Sequence, residues 1–405
     1  MIIALLISYF ILIPMDSVQT DHLKAYGAVY NTLKKGINVE WLLNYRGGSF
    51  LVEGNSFTEK WCILRGVYTE KINEEDVNAI YKFIENHNMK DMLLEKAPKI
   101  AVYAPPYYQP WDDAVLLALH YAEIPFKQIY DNDILSGCLK DIDWLHLHHE
   151  DFTGMYGKFY AHYGHTKWYR DRVAFKKSIA KKWGFHKVSE LEHAIADSIS
   201  DFVKSGGFLF AMCSAPITLD VALATEHTDI LDRVFDGDPY DPRYQKKLDF
   251  SRTFAFKDFH IIVNPFIYEH TDIDVSQEAY QRGKDTYFVL KDFSAKIDPV
   301  PTLLTQDHTR YIKEFLGQDT GFRKSKIKKN VKILADVPGT DEAKYIYGDY
   351  GKGFFVFLGG HDPEDFTHYV GDPPTDLSLH KHSPGYRLIL NNVLFPAAQK
   401  RRLKT

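Results

Sequence analysis

Through the first half of the chain, fully apolar runs alternate with segments of helical periodicity. "ILIPMD" (residues 11–16) is a continuous apolar run, the pattern of a strand covered on both faces. Asp21 can cap the segment after it, where Leu23, Tyr26, Tyr30 and Leu33 recur at helical spacing until Gly36 stops the helix. "INVEWLLNY" (37–45) predicts a second strand, so the opening reads as a βαβ unit with parallel strands and a right-handed crossover. The pattern then repeats. "KIAVYAP" (99–105) predicts a strand, "WDDAVLLALHYAEIP" (111–125) a helix with Val115, Leu116, Leu119 and Ala122 on one face, and "FKQIYD" (126–131) a short strand. "IDWLHLHHEDF" (142–152) predicts a strand that runs into a polar loop.

A capping box of Ser189 and Glu192 predicts the next helix start, with Leu191, Ile195, Ile199 and Phe202 as its apolar stripe. "GGFLFAMCSAP" (206–216) follows as a strand, with Pro216 where a further helix would begin. Residues 226–339 lose the alternation and read as a β-rich insertion packed on an α/β domain of residues 9–225 and 340–398. "FFVFL" (354–358) is another buried-type strand, and "GYRLILNNVLFPA" (385–397) a closing helix. The expected fold is therefore α/β: a flavodoxin-like, open, mostly parallel sheet with helices on both faces.

In such a sheet the ligand crevice lies beyond the carboxyl ends of the strands. Several reactive residue types fall just after predicted strands: Arg46-Gly47-Gly48, His149-Glu150-Asp151, Cys213, and the "GGHDPE" run with His361 and Glu364. A cysteine at a strand-to-helix turn has backbone N–H groups near it and a helix N-terminus that favours its thiolate. Cys213 reads either as such a nucleophile or as an ordinary buried cysteine. His361 and Glu364 supply a base and an acid three residues apart, and a Cys–His pair needs such an orienting group. Arg46 with the bare amides of Gly47 and Gly48 suits a carboxylate, or is a tight turn. His149, Glu150 and Asp151 are candidate pocket-lining residues. No metal is expected; the alternative is a site of His146, His148 and Glu150, since the two histidines alternate onto one strand face.

Composition narrows this little. Apolar residues make 45% of the 405-residue chain and charged residues 25%, values of a globular protein, and a net charge of −5 gives no reason to expect nucleic acid. Residues 155–188 interleave nine Lys or Arg with aromatics around a single Asp, which reads first as a solvated helix face. Three cysteines, Cys62, Cys138 and Cys213, exclude a disulfide framework. Residues 1–8 read as the remnant of an export signal or as a plain lead-in to the first strand. That apolar run is too short to span a bilayer, and 399–405 is a basic tail. A periplasmic or envelope location is expected from the leader, with the cytoplasm as the alternative.

Longer stretches carry a family resemblance. "HLKAYG", "WLLNYRGGSF", "HHEDFTG", "GGFLFAMCSAP", "DPVPTLLTQ", "GGHDPEDF" and "VGDPPTDLSLHKHSPGYRLILNNVLFPAA" resemble a group of Bacteroidetes proteins labelled asparagine synthetase B, within the class I glutamine amidotransferase-like fold. The resemblance implies a Cys-His-Glu triad, with Cys213 as nucleophile, His361 as base, Glu364 as orienting acid and the Ser214 N–H in the oxyanion hole. Position 2 is Ile and "SGG" (205–207) continues as "FLF", so neither part of an ATP-dependent synthetase site is present. The expected function is hydrolysis of a small-molecule amide without a cofactor. The alternative is a non-catalytic or carbohydrate-binding envelope protein using the same site.

Overall fold

The computed structural model describes residues 9–398, and the leader and basic tail lie outside them. Five strands, β1 (Phe10–Ile13), β2 (Val39–Leu43), β3 (Ser49–Glu53), β4 (Glu70–Ile72) and β5 (Lys90–Leu94), form one sheet in the order β4-β1-β3-β2-β5. Every pair in it is antiparallel. This corrects the expected βαβ opening. β1 and β2 do run the same way, but β3 lies between them. The cause is the turn after β2: Asn44 (φ 64°), Arg46 (φ 44°), Gly47 and Gly48 all take positive φ and send the chain straight back along β2. A connection that short can only join antiparallel neighbours.

The remaining strands form a second, mixed sheet: β6 (Ile100–Tyr103), β7 (Lys127–Ile129), β8 (Trp144–Leu147), β9 (Phe208–Met212), β10 (Tyr287–Leu290), β11 (Tyr311–Lys313), β12 (Phe322–Arg323), β13 (Lys332–Asp336), β14 (Glu342–Tyr350) and β15 (Gly353–Leu358). Their order is β11-β10-β13-β14-β15-β9-β8-β6-β7, with β12 on β14. The run from β15 to β7 is parallel, and from β15 outward every pair is antiparallel. The chain is thus α/β, but a mostly parallel open sheet is not what it builds. Residues 226–339 supply β10–β13, which widen this sheet.

The parallel strands are covered on both faces. Trp144, Phe210, Val356 and Leu358 share a core with the helices His22–Lys34, Ala114–Tyr121 and Pro384–Leu394. Leu145, Leu147, Leu209 and Phe357 share the other with Val188–Lys204 and Ala215–Ala224. The capping box lies two residues earlier than expected, on Lys187 and Glu190: Glu190 Oε2 accepts from Lys187 N at 3.3 Å and from His186 N at 2.7 Å. Glu192 is instead buried and paired with Lys176 Nζ at 2.8 Å. Lys176 also meets Asp131 at 3.0 Å, so part of the basic 155–188 segment neutralises buried carboxylates.

Strand order reverses between β6 and β8: the chain passes from β6 outward to β7, then back across to β8. The crevice beyond the carboxyl ends at such a reversal is where ligands sit in open α/β sheets.

Candidate metal centre

Three chain segments deliver histidines and carboxylates to that edge. β8 ends at Leu147, so His146 and His148 share one face and His149 begins the loop. After β6 the chain reaches Asp112 and Asp113, and Asp113 Oδ1 caps the next helix by accepting from Val115 N at 2.8 Å and Leu116 N at 3.0 Å. After β15, Gly360 holds φ 91°, and a Cβ there would lie 2.5 Å from the Phe315 ring. Only glycine fits that bend, which carries His361 to the edge.

Ligand atoms of His148, His149 and His361 all lie within 4.8 Å of one another, and so do those of Asp112, His361 and His368. A tetrahedral ion with arms of ~2.0–2.1 Å needs its ligands about 3.3 Å apart, so small side-chain rotations close the set. The free valences are there. Among the described residues His148 Nε2, His149 Nδ1 and both ring nitrogens of His361 make no well-aligned hydrogen bond, while His148 Nδ1 and His368 Nε2 each face one carboxylate oxygen, of Asp113 and Asp112, at 3.2 Å. His148 is 1% and His361 7% exposed, so water does not readily satisfy them. Burial, then the neighbouring His148, holds the imidazoles of His149 and His361 well below the usual histidine range. Neutral imidazoles are what a transition metal binds.

Surrounding groups orient the rings. Asp113 Oδ1 lies 3.2 Å from His148 Nδ1 and 3.4 Å from His146 Nε2. Burial alone would raise the Asp113 carboxyl, but these two imidazoles outweigh it and hold it well below the carboxylate range. His146 turns its Nδ1 to Phe210 O at 3.1 Å. Gln109 bridges His149 and Glu150, at 2.8 Å and 2.9 Å. Arg172 Nη2 stands 3.5 Å behind Glu150. Such carboxylate and carbonyl partners set tautomer and basicity at metal sites.

The residues expected from sequence are only partly brought together. His361, His148 and His149 converge. Glu150 backs His149 through Gln109 and does not join His146 and His148. Glu364 turns away: its Oε2 pairs with His380 Nδ1 at 3.0 Å, and the carboxylate facing His361 Nδ1 is Asp112, at 4.0 Å. Asp151 braces its own loop, accepting from Thr153 N at 2.7 Å and Gly157 N at 2.6 Å. Cys213 does sit at a strained strand-to-helix turn (φ 52°), with its N–H on Gly360 O at 3.2 Å. Burial pushes its thiol up to about 12, opposed by the backbone of Gln318. Ser214 is fully buried at the start of the following helix, its hydroxyl unpartnered among the described residues. Arg46 is held by Asp16 at 2.7 Å and Glu70 at 2.8 Å, while Gly47 and Gly48 pack against Met15 and Gln306. That motif is a structural turn whose guanidinium is already neutralised.

Asp112 and His368 were not singled out by sequence. Asp112 follows β6 by the same after-the-strand rule, and His368 lies seven residues beyond His361 in an acid-rich loop. A cavity of about 1610 Å³ lies at the opposite edge, lined by Asp143, Phe208, Pro299 and Phe395, remote from all these groups.

No protein-family model matches the chain, and no curated protein matches it. Among solved structures it is similar to cytoplasmic protein STM1381 from Salmonella typhimurium LT2, with 12% identity over 74% of this chain and 100% of that one, at a TM-score of 0.37. A second is cytoplasmic protein STM3548 from Salmonella typhimurium, with 10% identity over 75% of this chain and 100% of that one, also at 0.37. A third is Gan42B, a GH42 beta-galactosidase, with 11% identity over 66% of this chain and 28% of that one, at 0.27. Likeness at this level defines neither family nor function. The resemblance to class I glutamine amidotransferase-like proteins and to the asparagine synthetase B group is not upheld. No family model matches, and the large sheet is mixed in direction. Among the described residues no helix is long and apolar enough to cross a membrane.

Proposed function

We propose that the chain is a metal-dependent hydrolase of a small-molecule amide, with a zinc-class ion on His148, His149 and His361. The observation that carries this reading is the convergence of three imidazoles, two buried and one half-buried, each with an unpartnered nitrogen, at the strand-order reversal. We also read the parallel run as flavodoxin-like, since β7-β6-β8-β9-β15 follows the order 2-1-3-4-5. Three histidines would leave a fourth position open, and a zinc-class ion held by them would supply a bound water of lowered pKa and a Lewis acid for a carbonyl. Asp112 is the carboxylate that faces His361 Nδ1, at 4.0 Å. Cys213, with its thiol pushed up to about 12, is not required. An envelope location stays part of the proposal and depends on residues 1–8.

Aromatic residues favour a second reading. Trp111 stacks on Phe159 at 5.2 Å, meets Trp168 edge-on at 5.3 Å, and lies 5.4 Å from the His149 ring. Such a wall suits a sugar-like ring bound without chemistry. The test is metal analysis of the purified chain with an amide and glycan panel. Stoichiometric metal, with hydrolysis lost to a chelator and restored by zinc, supports the first reading. Metal-independent glycan binding without turnover replaces it with the second.

A further inference from the structure

The cluster does not stop at the three histidines. Asp112 and His368 form a second set with His361, and His361 is the only residue the two sets share. His368 is nearly enclosed, with a side-chain exposure of 2%, and its Nε2 lies 3.2 Å from Asp112 Oδ1. His368 Nδ1 is taken by Asp365 Oδ2 at 3.1 Å, which leaves Nε2 as its outward-facing donor atom. Neither Asp112 oxygen has a well-aligned hydrogen bond among the described residues.

Resting on the metal reading above, we infer that the site holds two divalent transition-metal ions that share His361. One sits with His148 and His149, the other with Asp112 and His368. His361 has two ring nitrogens to give. Its Nδ1 faces Asp112 at 4.0 Å, which assigns Nδ1 to the second ion and Nε2 to the first. The donor chemistry agrees: imidazole with one carboxylate suits Zn, Co or Cu rather than Mg or Ca.

The physical case is one of crowded acceptors. The rings of His148, His149, His361 and His368 pack within one cluster, with His361 over His368 at 4.6 Å and His148 against His361 at 4.7 Å. Four imidazoles so close cannot all carry protons, and buried lone pairs without donors are costly. Two cations satisfy all of them. The His361 and His368 rings are nearly parallel, at 4°, so loading must tilt one of them. The shared imidazole loses its ring proton to solvent as the second ion binds.

The test is saturation of the full chain, first stripped by chelator, with Co(II) and then Zn(II), counting ions per chain by elemental analysis and following the Co(II) visible spectrum. Two ions per chain are expected, with His368→Ala and Asp112→Asn each retaining one. One ion per wild-type chain at saturation overturns the shared site and leaves the hydrolase reading standing. No bound ion overturns both. The wild-type count needs no variant, so a misfolded substitution cannot obscure it.

Discussion

Gln109 Oε1 lies 2.8 Å from His149 Nε2, and this contact decides which nitrogen of His149 is free. The amide of Gln109 must present its Nε2 to the Glu150 carboxylate, 2.9 Å away, so its oxygen faces the ring. His149 therefore donates from Nε2 and keeps a lone pair on Nδ1, the atom left unpartnered.

Gln109→Leu should free that ring to flip. We expect metal affinity to fall about 10- to 100-fold, the usual effect of losing a ligand's supporting hydrogen bond. Competition against a chromophoric chelator measures it. Unchanged affinity with an unchanged melting temperature would show that Gln109 does not set the tautomer.

Cys213 should be chemically silent. It is 3% exposed, with its thiol pushed up to about 12, mainly by burial. Under iodoacetamide at pH 8, mass spectrometry should find label on the half-buried Cys138 and none on Cys213 until the chain unfolds. Cys213→Ala should leave metal content unchanged and hydrolysis within a few fold. A loss of about a millionfold in kcat, the scale seen when a nucleophile is removed, would restore the thiol to the mechanism.

How far the sequence announced this site depends on the source of each residue. His146, His148, His149 and His361 were legible because strands deliver them, and the chain's alternation and its apolar runs mark strand ends. Asp112 and His368 were not, because loops deliver them and tertiary packing sets a loop's path. Glu364 was misassigned for a local reason. Asp362 uses Oδ1 to accept from Glu364 N and Oδ2 to accept from Tyr386 Oη, both at 2.8 Å, and the turn so fixed sends Glu364 toward His380. Strand direction in the first sheet was hidden too. "ILIPM" and "WLL" are apolar throughout, and such runs mark burial without direction. The deciding feature was a run of positive φ at Asn44, Arg46, Gly47 and Gly48, of which the sequence signals only the glycines.

Lys176 should be indispensable to stability. Its ammonium stands between the fully buried carboxylates of Asp131 and Glu192, at 3.0 Å and 2.8 Å. Lys176→Met leaves both without a cation, and removing one partner of a buried ion pair costs about 3–5 kcal/mol. Urea unfolding reads this directly, and a loss below about 1 kcal/mol, the scale of an exposed pair, would contradict it.

Asp274 should make the fold less stable as pH rises. Burial pushes its carboxyl up to about 7 from 3.8, against hydrogen bonds from Ser276. Between those values the folded chain holds a proton that the unfolded chain releases. Stability from this group is therefore full below pH 3.8 and declines as pH climbs to 7. Asp274→Asn keeps the acceptor for Ser276 and removes the titration. It should stabilise the fold by about 1–3 kcal/mol at pH 8 and leave it unchanged at pH 4. Equal effects at both pH values would exclude this carboxyl as the source.

The central claim is that His148, His149 and His361 hold a metal. The most direct test is anomalous diffraction across the zinc edge from crystals of the zinc-loaded chain. We predict a peak about 2.0–2.1 Å from one nitrogen of each of these three histidines. Zinc found only elsewhere, as on the surface carboxylates Asp229, Asp236 and Asp238, with the three imidazoles still unliganded, would contradict the account.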